Sequence, residues 1–175
     1  SKYTKQVFED HGLTNIVYVP LGFDSEHFKI INKNYFNDRI IFTLVGKLEK
    51  RKNHAKTIRA WVKKYGNNPK YFLNLAIWNH FFPKPEDNQR YLLEILEGKY
   101  YFNVKPYEYI PSNAAYNDLL NSTNIILGMS GGEGWGLPEF HTLALGKHAV
   151  ILNAHAYKEW ATNENSVLVN PNGKM

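Results

Sequence analysis

Four apolar runs, RIIFTLV (39–45), YFLNLAIW (71–78), NIILGM (124–129) and HAVIL (148–152), are separated by stretches whose apolar residues recur at helical spacing. Between the first two, residues 53–65 place Ile58, Trp61, Val62 and Tyr65 on one helical face with polar residues between them. The runs themselves are nearly continuous, as in strands covered on both faces. Neighbouring parallel strands require a crossover connection, usually a helix, so this alternation predicts a doubly wound α/β fold built on one Rossmann-like parallel sheet.

The same reading fills in the rest of the chain. NIVYVP (15–20) is predicted as a further buried strand, and residues 86–98 as a helix stopped by Gly98. YYFNV (100–104) reads as a strand, and residues 112–122 as a helix with Ser112 as N-cap. A helix over 137–145 is stopped by Gly146, and VLV (167–169) is a last short strand. With 175 residues, 43% of them hydrophobic, the expectation is one globular domain over 1–175. No repeat, linker or low-complexity tract divides it.

The chain has no cysteine, which rules out disulfides and thiolate metal sites. His141, His148 and His155 are spaced by seven, but the strand at 148–152 breaks any shared helical face, so no metal site is expected. No apolar run approaches the roughly 20 residues of a membrane-spanning helix. A formal charge of +5 favours anionic partners. Nucleic acid is one such class, but the aromatic residues fall on strand and helix core positions rather than beside the basic run, so no nucleic-acid partner is expected.

Ligands of such sheets bind beyond the carboxyl ends of the strands, which directs attention to two loops. VGKLEKRKN (45–53) sets Gly46 at a strand end, followed by Lys47, Lys50, Arg51 and Lys52 before a helix N-terminus. Helix N-termini attract anions, and these cations concentrate positive potential there. Neither GxxxxGK[ST] nor GxGxxG is present. The second loop, GGEGWGLPEFH (131–141), places four glycines around Glu133 and puts Pro138 in the first turn of a helix. Glycines there expose backbone amides to a ligand, and a carboxylate can accept from vicinal sugar hydroxyls. A third segment, VPLGFDSEHF (19–28), carries a Gly-x-Asp turn that begins at Gly22.

Taken in this order, the three segments resemble the donor-binding C-terminal domain of GT-B retaining glycosyltransferases, the group that includes sucrose and glycogen synthases. SKYTKQVFEDHGLTNIVYVPLGFDSEHF is similar to the family's opening segment, and VGKLEKRKNHAKTIRAW to its phosphate-binding segment. SGGEGWGLPEFHTLALGKHAVI is similar to its E-x7-E segment. The resemblance implies that Lys52 binds the donor diphosphate and that Lys47, standing where arginine is usual, shares the role without the bidentate fork. It assigns Glu133 to the donor sugar, beside the amides of Gly134, Trp135 and Gly136, with Leu137, Gly46 and Gly22 extending the binding edge. The family's second glutamate, which holds the ribose hydroxyls, is replaced here by His141. Glu139 lies two residues away, about 200° around a helix, and is expected only to complement the helix dipole.

The resemblance further implies metal-independent, retaining glycosyl transfer from a UDP-, GDP- or ADP-sugar to a glycan or other hydroxyl acceptor, in glycan biosynthesis. It implies a second, N-terminal acceptor domain, so residues 1–175 are expected to be inactive in isolation. A cytoplasmic location is expected, with peripheral association of the whole protein at the cytoplasmic face of a membrane. The alternative from another class is a noncatalytic nucleotide- or sugar-binding domain of the same fold.

Overall fold

The computed structural model describes residues 1–31 and 38–173. Six strands form one sheet: β1 (Ile40–Val45), β2 (Tyr71–Ala76), β3 (Val104–Pro106), β4 (Ile125–Gly128), β5 (His148–Leu152) and β6 (Val167–Val169). Their order is β3-β2-β1-β4-β5-β6, and every pairing is parallel. The strands are crossed by helices α2 (His54–Tyr65), α3 (Glu86–Ile95), α4 (Asn113–Asn121) and α5 (Leu137–Ala144), preceded by α1 (Lys2–Asp10). The Rossmann-like α/β fold expected from the alternation is therefore present. Sheet order reverses between β1 and β4, and a crevice forms at such a switch point because the connections on either side leave in opposite directions.

Both faces of the sheet are covered. Phe42 and Leu44 of β1, Leu73 and Leu75 of β2, and Ile58 and Trp61 of α2 form the larger core. Ile126, Ala149 and Ile151 pack with Tyr157 on the other side. Thr43, fully buried, satisfies its hydroxyl through Thr123 Oγ1 at 2.8 Å. Two helix ends show the capping expected of them. Ser112 accepts from Ala115 N–H to start α4, and Gly146, at φ +76°, follows α5 as its stop.

Two expectations need correction. Among the described residues, 15–20 pair with no strand, and Val17 and Val19 are 83% and 72% exposed. β-branched residues favour a strand only where a partner strand exists, and here Ile16 and Tyr18 are half-covered while no described strand pairs with the stretch. The strand expected over 100–104 begins only at Val104, because Asn103 is used differently. The sequence reading also missed α1, which buries no residue and is capped by Ser1 accepting from Thr4 N–H. Its apolar residues, Tyr3, Val7 and Phe8, are helically spaced, but three of them in nine residues make a short pattern, and all three stay exposed.

Asn103 is fully buried just before β3. Its Nδ2 donates to the carbonyls of Tyr65, Asn68 and Tyr71 at 2.8, 3.1 and 2.8 Å, while Oδ1 accepts from Asn67 N–H at 2.9 Å. One side chain thus ties the end of α2 to the start of β2 and to the sheet edge. Removing it leaves buried groups unsatisfied, so Asn103→Ala should lower stability by about 2–4 kcal/mol in urea unfolding. A loss below about 1 kcal/mol would contradict this role.

Candidate functional site

The loops after β1 and β4 flank the switch point, and hydrogen bonds from both backbone and side chains join them. Gly131 N–H donates to the Arg51 carbonyl at 2.9 Å. Asn53 Nδ2 donates to the Met129 carbonyl at 2.9 Å. Arg51 Nη1 donates to the Gly132 carbonyl, and Lys52 Nζ to Glu133 Oε1. Asn53 makes this possible by adopting the left-handed conformation, φ 56°, as it leads into α2. Asparagine tolerates that region better than most residues.

Lys52 and Glu133 are only 11% and 12% exposed, and Arg51 stands 3.5 Å from the same carboxylate while also pairing with Glu49 at 2.6 Å. Burial opposes ionisation of Glu133, but the hydrogen bond from Lys52 and the charges of Lys52 and Arg51 hold its carboxyl below the usual range. The site thus presents an ionised acid and two cations at one point. Among the described residues, no intramolecular hydrogen bond engages the amides of Glu133 to Gly136. Gly134 is exposed, so this part of the loop offers backbone donors to a ligand.

The remaining expected residues fall around this pair. Gly46, at φ +126°, turns the chain out of β1, and the side chains of Lys52 and His54 fill the space beside its Cα. Lys47 is turned toward a different neighbour, its Nζ 4.7 Å from the centre of the Phe81 ring. Trp135 is buried, with its carbonyl accepting from Trp160 Nε1 at 2.8 Å, and Leu137 is 43% exposed. Gly136 has φ +83°, and a Cβ there would meet Tyr157 Cε1 at 2.3 Å, so both conformation and space require glycine. Gly22 is exposed with open space beside it. The turn that follows is held by Asp24, whose Oδ1 accepts from the amides of Glu26 and His27.

His141 is half-buried in an aromatic nest. Its ring stacks on Phe28 at 4.3 Å and meets Phe23 and Tyr116 edge-on. Burial lowers its pKa, with Asp24 acting in the opposite sense, and its Nδ1 has no hydrogen-bond partner among the described residues. A neutral imidazole with an unpaired nitrogen offers one polar contact, where a carboxylate would offer two acceptors.

Several residues contribute here in ways the sequence reading did not assign to them. Arg51 and Asn53 join the loops, a role carried by their position in RKN and by a backbone conformation that no side-chain pattern reveals. His155 donates from Nε2 to the Ser130 carbonyl at 2.8 Å and so supports the second loop from below. An apolar cavity of about 420 Å³ lies elsewhere, between α3 and β3, lined by Leu75, Leu92, Leu96, Tyr101 and Tyr107. None of the charged residues above lines it.

Glu139 is the clearest departure from expectation. Rather than complementing the dipole from the surface, it is 3% exposed, packed against Gly128 and beside Tyr157. Its Oε2 and the Tyr157 hydroxyl influence one another without completing a hydrogen bond. Burial pushes its carboxyl up to about 7. Because the folded pKa is raised above the unfolded value of 4.5, this acid costs stability as pH rises from about 4.5 through 7. The full cost is on the order of 3 kcal/mol. Glu139→Gln should therefore raise the melting temperature at pH 8 and change it little at pH 4; an equal shift at both would show that Glu139 does not titrate this way.

Neither a protein-family model nor a curated protein matches the sequence. Solved structures do match the fold. The C-terminal domain of the glycosyl transferase group 1 protein LpcC from Francisella tularensis superposes with TM-score 0.70 at 19% identity, covering 86% of this chain and 81% of that one. Sucrose-phosphate synthase from Thermosynechococcus elongatus gives TM-score 0.79 at 17% identity over 99% of this chain and 44% of its own. HepE from Anabaena, solved with UDP-glucose, gives TM-score 0.61 at 17% identity over 77% and 36%. The chain thus spans most of an isolated C-terminal domain and less than half of the two longer proteins. Its fold is that of the C-terminal domain of GT-B glycosyltransferases.

Proposed function

We propose that the chain is the donor-binding half of a retaining glycosyltransferase, holding a nucleotide-diphosphate sugar at the joined loops after β1 and β4. The observation that carries this reading is the Lys52–Glu133 pair at the topological switch point, set between the N-terminus of α2 and the unengaged amides of Glu133 to Gly136. The chemistry fits a ligand with a negative diphosphate on one side and sugar hydroxyls on the other. The donor's phosphate oxygens compete with Glu133 for Lys52 and Arg51, which frees the carboxylate to accept from the sugar.

In transfer, the bond between the anomeric carbon and the diphosphate oxygen breaks, an acceptor hydroxyl oxygen bonds to that carbon on the same face, and the hydroxyl proton passes to the leaving diphosphate. Negative charge grows on the leaving diphosphate, and Lys52 with the α2 N-terminus stabilises it more in the transition state than in the ground state. Lys47 can join them once it leaves the Phe81 ring. His141 takes the ribose with a single hydrogen bond. The reading extends to an acceptor-binding domain beyond residues 1–175, and to a cytoplasmic location with membrane association of the whole protein.

Calorimetry with UDP, GDP and ADP should show binding by at least one of them, weakened tenfold or more in Lys52→Ala, equivalent to about 1.4 kcal/mol. A folded protein that binds none of the three would refute the reading. For the ribose contact, His141→Glu should increase the preference for the ribonucleotide over its 2′-deoxy form. An unchanged preference would remove His141 from that role.

A further inference from the structure

His54 opens α2 directly behind the phosphate side of the site, and it is 3% exposed. Neither of its ring nitrogens completes a hydrogen bond, although the Lys47 carbonyl lies near enough to favour a proton on the ring. Burying an imidazole in this way is unfavourable, and among the described residues no completed hydrogen bond compensates for it. The ring is aimed at the phosphate loop. From the point where a Cβ on Gly46 would stand, Lys52 Nζ is 3.5 Å away and His54 Nε2 is 3.7 Å away.

Burial and the neighbouring charges of Lys52 and Arg51 hold His54 neutral, with its pKa at about 4. An imidazole beside an ammonium group is best arranged with the lone pair facing the cation, so the proton belongs on Nδ1 and the lone pair on Nε2. Lys52 has three donors, and Glu133 takes one of them.

We propose that His54 is a positioning residue for Lys52: when a donor diphosphate displaces Glu133, Nε2 accepts a hydrogen bond from the Lys52 ammonium and fixes it beside Gly46, facing the phosphate. The proposal rests on the donor-site reading above. It explains why a buried polar ring without partners stands at this position, where a leucine would pack at less cost. His54 acts through Lys52 and does not itself touch the ligand.

The test is a double-mutant cycle read by calorimetry with UDP, GDP and ADP, together with thermal melting. His54→Leu should raise the melting temperature, because it removes two unsatisfied nitrogens, and yet weaken nucleoside diphosphate binding about fivefold to tenfold. His54→Gln, which keeps an acceptor, should recover part of that loss. In a Lys52→Ala background, His54→Leu should have no further effect on binding. His54→Phe, closer in shape to the imidazole, carries the same cycle where the leucine variant does not fold. A folded His54→Leu or His54→Phe that binds as tightly as the wild type, or losses that simply add in the double mutant, would overturn the positioning role and leave the donor-site reading intact. Absence of binding by the wild-type chain would overturn both.

Discussion

The two loops at the switch point behave as one unit because the Arg51 carbonyl accepts from Gly131 N–H while the Arg51 side chain donates to Gly132. A single residue clasps the opposite loop from both its backbone and its side chain. Everything proposed for the site depends on this clasp. Lys52 follows Arg51 and Glu133 follows Gly132, so the pairing of acid and cation is a consequence of where the clasp sets the register. Asn53 extends the same seam to Met129.

Beneath that seam the structure is unusually polar. Glu139, Tyr157, His155, His54 and Trp135 each bury a polar atom without a hydrogen-bond partner. Proteins accept such costs mainly where a site must be held in one arrangement or must change partners on binding. The glycines belong to the same economy of space. Gly128 leaves room for Glu139 and Gly136 for Tyr157, so the loop lies close over a layer of large side chains. Of the four glycines around Glu133, Gly134 leaves the backbone exposed and Gly136 lets the loop sit down on its support.

Much of the fold was legible in the sequence. RIIFTLV, YFLNLAIW, NIILGM and HAVIL announce buried strands because both of their faces are covered, and Ile58 and Trp61 announce α2 by their spacing. NIVYVP misled because its composition suits a strand while residues 1–31 and 38–173 provide it with no partner. α1 was missed because its helical pattern rests on only three apolar residues, Tyr3, Val7 and Phe8, in nine positions. At the site, Lys52 and Glu133 were each legible as residue types next to helix N-termini, but their contact spans 81 positions and follows from β1 lying beside β4. Glu139 was misjudged because a helix angle shows which residues diverge from a ligand, not whether the far side is water or core.

The central claim is that these two loops form a single ligand site, and amide chemical shifts measured during titration with UDP, GDP or ADP test it most directly. The account predicts that Gly46, Lys52 and the amides of Gly131 to Gly136 shift together along one saturation curve, with residues lining the α3–β3 cavity unmoved. Shifts confined to one loop, or centred on that cavity, would contradict it.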